Sequence, residues 1–320
     1  MKKIEKLFIS VFICFLTFCE GSELFDSEKP FVSHHPRGQL GNQLFQASAG
    51  LSCALDHDAQ YILPLKTGNQ YPEVFWRFPK RTLPDGKRSS WNHEMAYNKT
   101  ALYVPINYQD NLIIHGFFLS YKYFDHHREK LLELFAPSDK IKSYLNQKYT
   151  SIFQEPIKVG VHIRTYLHPR DNLFKGRAHC KIFYSKLLPP DPDFIKKAMD
   201  HFPDEALFVI CTDNLEWTKR MLKGIEKRIV FVSDSVVNDF YLLTLCDHNI
   251  IGNSTFGWWA AYLNTNPEKI VVAPSPYRFR PGQLPDIYPP DWVLIEREDK
   301  HLLPVMDEDK LFIHNDKFSD

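Results

Sequence analysis

Ile157-Lys158-Val159-Gly160-Val161-His162-Ile163, closed by Arg164, is the stretch on which the reading of the fold turns. It is a short, largely apolar run rich in β-branched residues, and such a run reads as a buried strand. Four more runs of the same kind follow it, at Ala206–Cys211, Arg228–Val232, Asp247–Ile251 and Lys269–Ala273. Between them lie stretches with helical character near 191–201, 214–223, 235–246 and 255–264. Strands alternating with helices, and apolar on both faces, belong to a parallel sheet covered by helices on both sides. The second half of the chain is therefore expected to be an α/β unit with a doubly wound parallel sheet.

Working back toward the N-terminus, Gln154-Glu155-Pro156 marks a boundary. Before it, helices are expected near 124–135 and 138–150, the second after a Pro-Ser-Asp start signal. Leu112-Ile113-Ile114-His115-Gly116 reads as another buried strand, and 59–64 as a further one. Residues 66–110 show little periodicity and read as a long loop region. Gly38-Gln39-Leu40-Gly41 is a glycine-bearing loop that opens a helical pattern from Asn42 to about Leu55. Ahead of it, 23–35 is polar and reads as a stem. Lys2, Lys3 and Lys6 precede an apolar run from Leu7 to Cys19. That run is short for a membrane span, which needs roughly 20 residues. It suits a signal peptide, with an uncleaved signal anchor as the alternative; either carries the body into the secretory lumen. The expected organisation is thus 1–22 leader, 23–35 stem, 36–153 first domain, 154–300 second domain and 301–320 tail.

Composition narrows the function. Lys plus Arg and Asp plus Glu each number 39 among 320 residues, so no whole-protein field draws in nucleic acid. An anionic ligand needs a local site instead. No Cys-x-x-Cys pair occurs, which argues against a zinc site of that kind. Cys211 and Cys246 lie in apolar runs and read as buried free thiols. Asn98-Lys99-Thr100 is a glycosylation acceptor in a polar stretch, with Asn98 as the modified residue. Asn253-Ser254-Thr255 also fits that pattern but reads better as a helix start.

Ligands of open parallel sheets bind beyond the carboxyl ends of the strands. Polar residues gather at those ends here: His162 and Arg164, then Thr212, Asp213 and Asn214, then Ser233 and Asp234, then Gly252 through Thr255. Arg164 offers a planar cation suited to phosphate. His162 shares its face of the strand. Ser254, Thr255 and the following amides form a helix N-terminus, which favours anions. Asp213 or Glu216 could accept hydrogen bonds from a ribose or a guanine edge, or Asp213 could only cap its helix. Gly38–Gly41 could approach a pyrophosphate from across a cleft, or be only a tight turn. No Asp-x-Asp pair beside a strand indicates a metal-held diphosphate, so no metal or other cofactor is expected.

These residues carry a resemblance. Gly38-Gln-Leu-Gly41-Asn42-Gln-Leu-Phe-Gln46 resembles the GxxGNQxFQ segment that opens the α-1,2-fucosyltransferases (glycosyltransferase family 11). Gly116 through Phe124 is similar to their GxxQSxKYF segment, with Leu119 where glutamine is usual. Val159 through Arg164 is similar to their HxR strand, Cys211 through Trp217 to their SDDxxW stretch, and Ile251 through Leu263 to SNSTFSWWAAYL. The resemblance implies two Rossmann-like domains facing a cleft, a GT-B glycosyltransferase. It implies inverting, metal-free transfer of fucose from GDP-fucose to a galactoside hydroxyl of a glycan, with α-1,2 linkage. The second domain would hold GDP-fucose and the first would meet the acceptor. His162 and Arg164 would contact the diphosphate; Asn253, Ser254, Thr255 and Phe256 would line the donor pocket, beside Asp213. Gly38, Gly41 and Asn42 are assigned to the same donor site.

One departure stands out. The family usually follows its HxR with a second arginine and then Gly-Asp, whereas Thr165-Tyr166-Leu167 stands here. Asp171, after the first strand, is the candidate base and Arg164 the candidate electrostatic catalyst. Localisation follows as a single-pass type II Golgi membrane protein with a lumenal catalytic domain, or a secreted form after cleavage. Two alternatives remain open: a GDP-sugar or glycan-binding homologue without transfer activity, and a protein O-fucosyltransferase.

Overall fold

The computed structural model describes residues 26, 28–92, 103–165, 192–277, 284 and 286–297. Two parallel sheets organise them. The first contains β1 (Phe31–His34), β2 (Gln60–Tyr61), β3 (Ser89–Asn92) and β4 (Leu112–His115), in the order β2-β1-β4-β3. The second contains β5 (Lys158–Ile163), β6 (Leu207–Thr212), β7 (Arg228–Val232), β8 (His248–Ile251), β9 (Val271–Ser275) and β10 (Val293–Glu296). Its order is β10-β9-β8-β5-β6-β7, every pair parallel. From β5 the chain builds outward through β6 and β7, then returns to the other side of β5 for β8. That reversal is the topological switch point of a doubly wound sheet, where ligand crevices form.

The helices follow the expected alternation. In the first half, α1 (Leu40–Asp56) and α2 (Leu65–Gln70) precede α3 (Arg128–Leu134), α4 (Asp139–Lys148) and α5 (Thr150–Phe153). In the second, α6 (Pro192–Met199), α7 (Leu215–Met221), α8 (Val236–Thr244) and α9 (Thr255–Tyr262) connect the strands. The caps are legible in sequence: Ser138, Asn214, Ser235 and Ser254 each accept a backbone N–H of the turn they open.

Several expectations need correction. Phe31–His34, read as part of the stem, is a fully buried strand at the centre of the first sheet. Four residues are too few to show a period, and only the pairing with β2 and β4 reveals it. Within 66–110, α2 and β3 break the expected loop. The strand expected at 59–64 pairs only at Gln60 and Tyr61.

The two sheets share one apolar core, and α1 is its pivot. Phe45 on α1 meets Trp258 and Trp259 on α9 at ring separations of 4.5 and 5.2 Å. Phe124 joins them at 5.1 Å from Trp259, and Trp258 stacks on Tyr262 at 4.9 Å. All five rings are buried. Aromatic pairs in such tilted and offset arrangements add roughly 0.5–1.5 kcal/mol each beyond area burial. Residues 128–153 also bridge the halves: the Tyr241 hydroxyl of α8 donates to the Phe135 carbonyl at 3.1 Å. Cys53, Cys211 and Cys246 are buried free thiols, as the last two were expected to be. Among the described residues no helix is long and apolar enough to cross a membrane.

Candidate active site

The carboxyl ends of β5 and β8 lie side by side, with His162 in register with Ile251. On the other flank, His162 and Ile163 pair with Cys211 and Thr212 of β6. Arg164, Gly252–Ser254 and Asp213 therefore leave three adjacent strands at one end of the sheet, at the switch point.

Arg164 is held in place. Its Nη1 lies 3.1 Å from Asp213 Oδ2, with the side chains 20% and 8% exposed. The other Asp213 oxygen accepts the Thr165 N–H at 2.6 Å. Asp213 therefore positions the guanidinium and the turn after β5. Its helix is capped by the next residue instead, for Asn214 Oδ1 accepts from Trp217 N at 3.0 Å. Thr165, standing where the family's second arginine is usual, is buried and serves this turn through its backbone.

His162 lies deeper than the sequence suggests, at 7% exposure. Its ring packs against Phe256 at 4.8 Å, and Nδ1 has no hydrogen-bond partner among the described residues. Burial, reinforced by the Arg164 charge, lowers its pKa to about 3, so it is a neutral imidazole at physiological pH. A Cβ on Gly257 would sit 2.9 Å from that Nδ1. His162 thus supports the first turn of α9 from below. Phe256 in turn packs against Phe240 at 5.3 Å. Ser254 caps α9 by accepting Phe256 N at 3.3 Å, and Asn253 is buried behind it.

The glycine loop of the first sheet reaches this helix start directly. A Cβ on Gly41 would lie 2.4 Å from the Thr255 carbonyl carbon and 2.6 Å from Phe256 N. Thr255 Oγ1 donates to Asn42 Oδ1 at 3.2 Å. Gly38, at φ +73°, takes a left-handed turn that a side chain would strain. Gln43 donates to the Gly38 carbonyl at 3.1 Å, while Gln46 both accepts from Arg37 N and donates to Arg37 O at 2.9 Å. The segment 38–46 is therefore the joint that seats one helix N-terminus against another, with the two glutamines fixing the loop's shape.

Two expected residues fall elsewhere. Glu216 is exposed on α7 and pairs with Lys219 at 3.5 Å, an ordinary surface contact. Asp234 is consumed in packing: Lys148, Tyr144 and Tyr149 converge on its Oδ2 at 2.7–3.0 Å, and its Oδ1 accepts from Asn238 and Ser235. Asp171 and Asn98 lie outside the described residues.

Two features were missed. Asp239, in the first turn of α8, takes the Asp234 N–H at 3.0 Å, and burial raises its carboxyl to about 7. In sequence it looks like any acidic residue at a helix start. His35, just past β1, and His115, the last residue of β4, stack at 5.3 Å. Burial and the neighbouring His35 and Arg37 lower the His115 pKa.

The chain is similar to several known proteins. Human galactoside alpha-(1,2)-fucosyltransferase 1 is 27% identical over 249 residues, covering 72% of this chain and 64% of the human one. The O-antigen biosynthesis glycosyltransferase WbnK of Escherichia coli is 28% identical over 225 residues, covering 68% of each. The crystal structure of fucosyltransferase NodZ from Bradyrhizobium matches with a TM-score of 0.49 and 15% identity, covering 72% of this chain and 92% of that one. The sequence profile of glycosyl transferase family 11 matches residues 103–296, more than half of the chain and the whole doubly wound sheet; the protein belongs to that family.

Proposed function

We propose that the protein transfers fucose from GDP-fucose to a galactoside hydroxyl on a glycan, forming an α-1,2 linkage with inversion. The observation that supports this reading is that β5, which ends just before Arg164, and β8, which leads into the N-terminus of α9, are paired strands at the switch point. A guanidinium held by Asp213 and the positive end of a helix dipole suit a nucleoside diphosphate. As the glycosidic bond breaks, negative charge grows on that diphosphate. Donors already oriented toward it cost no reorganisation, and each is worth about 3–4 kcal/mol to the transition state. Asp213 adds to this by holding Arg164 in one orientation.

The two parallel sheets would act as the two lobes of a GT-B enzyme, with 154–300 holding GDP-fucose and 36–153 meeting the acceptor. Asp239 would complete the nucleotide site: a half-buried carboxyl near neutrality becomes an acceptor once N–H donors of a base reach it. The acceptor hydroxyl needs a base, and we assign that role to Asp171 or, from the first sheet, to neutral His115. Asp171→Asn and His115→Gln transfer rates distinguish them. No metal is invoked in this scheme. The leader would act as a Golgi signal anchor, with cleavage giving a secreted form.

Incubating the chain with GDP-fucose and a panel of β-galactosides, followed by linkage analysis, tests the proposal. An α-1,2-fucosylated product is expected. GDP binding without transfer would mean a binding homologue, and transfer only to folded protein domains would mean a protein O-fucosyltransferase.

A further inference from the structure

At the far end of α1, away from the crevice, three side chains converge. Asp56 closes the helix, and His126 and His127 lie on the short 3-10 turn Asp125–His127. His126 Nε2 sits 3.1 Å from both Asp56 oxygens, and His127 Nε2 sits 2.7 Å from Oδ1. The two imidazoles are neighbours, with ring centroids 4.4 Å apart and planes tilted by 49°. All three donor atoms lie within 4.8 Å of one another, and one side of the cluster opens to solvent.

We propose that Asp56, His126 and His127 form a site for a divalent transition-metal ion of the zinc type. Two imidazole nitrogens and a carboxylate oxygen are ligands that such ions accept. A tetrahedral ion with bonds of about 2.0–2.1 Å sets its donors roughly 3.3 Å apart, so small side-chain adjustments suffice. Without the ion, each Nε2 carries hydrogen toward the carboxylate. With it, both lone pairs turn to the metal, the ring hydrogens move to Nδ1, and water fills the fourth position. Consecutive histidines aimed at one carboxylate give a denser donor set than a lone surface ion pair requires.

The site is structural, not catalytic. Asp56 is fifteen residues beyond Gly41 on one helix, about 22 Å at 1.5 Å per residue. The ion would staple the end of α1 to the segment that leads into α3. Arg128, the next residue, already bonds the Tyr262 carbonyl of α9 at 3.1 Å. A metal here would therefore stiffen the same inter-sheet joint from its other end. Sequence spacing conceals the site because its ligands are 70 residues apart.

The test is equilibrium dialysis of untagged, chelator-treated protein against ZnCl2, with Co2+ absorption as a second readout. Wild type is expected to take up one Zn2+ per chain at this site and to show a Co2+ d–d band. The His126→Gln/His127→Gln variant should bind more than about tenfold more weakly, a loss that even changes behind the ligands can inflict. His201→Gln, an exposed histidine elsewhere, should leave binding unchanged. Thermal melting in EDTA checks that the double variant folds, and Zn2+ should raise the melting point of wild type only. Equal Zn2+ affinity in wild type and folded double variant, or no Co2+ band in wild type, overturns the proposal.

Discussion

Replacing Gly41 with alanine probes the joint between the two sheets with a single methyl group. The added Cβ would stand 2.4 Å from the Thr255 carbonyl carbon and 2.6 Å from both Phe256 N and the Thr255 oxygen. Ordinary contact begins near 3.4 Å, and every obstructing atom is backbone, so no side chain can swing aside. The helices α1 and α9 must separate by about 1 Å, and overpacking of this kind costs about 1–3 kcal/mol. The separation also loosens Phe45 from Trp258 and Trp259 and stretches the Thr255–Asn42 hydrogen bond. Each kcal/mol lowers the melting point of a domain of about 150–250 residues by about 2–4 °C, so a fall of about 2–12 °C is expected, toward the lower end for a chain of 320 residues. Calorimetric melting checks it. Gly68→Ala is the control: it is helical, and its nearest obstacle is the mobile tip of Leu63 at 3.3 Å. A Gly41→Ala protein that melts with wild type would refute the idea that this segment is an inter-sheet joint.

Other outcomes follow from the same geometry. Arg164→Ala should lower fucose transfer at least about a hundredfold, measured as kcat/KM, and Arg164→Lys should not restore it because the pairing with Asp213 is geometric. Asp234→Ala should lower the melting point by about 3–6 °C by releasing α4 from α8, with little change in KM for the donor. Acid should destabilise the fold. His34 and His162 are buried and neutral with pKa lowered to about 3, so unfolding takes up protons below about pH 6.5 and stability falls from there toward pH 3. Between pH 7 and 5 the two together remove about 4 kcal/mol. Asp239, raised to about 7, works in the opposite sense and returns about 1 kcal/mol after allowance for its exposure. Urea midpoints at the two pH values measure the balance, and Asp239→Asn should deepen the loss.

Much of the second sheet was legible because its strands are long, apolar and punctuated by polar turns. The serine and asparagine caps fixed the helix starts within a residue or two. The first sheet was harder to read: Phe31–His34 and Gln60–Tyr61 are too short for a period, and their burial comes from neighbours distant in sequence. The strand ends that carry Arg164 and Ser254 were legible as such, and the parallel pairing of β5 with β8 sets those ends side by side. Side-chain partners were another matter. Asp213 and Asp234 both looked like ligand groups, yet each is committed to a cation that composition does not reveal. Gly38–Gly41 read either as a loop approaching a pyrophosphate or as a tight turn; that Gly41 also gives room to the backbone of Thr255 and Phe256 was not legible. Asp239 and the Asp56 cluster depend on burial and convergence, which no local pattern records.

The grip on the diphosphate is the claim on which the rest stands, and calorimetric titration of GDP into wild type and Arg164→Ala addresses it without any acceptor. Saturable binding by wild type and an affinity at least about tenfold weaker for a folded variant are expected, matching loss of a charge-assisted contact worth about 1.5–3 kcal/mol. Equal GDP affinity in the two proteins would contradict it.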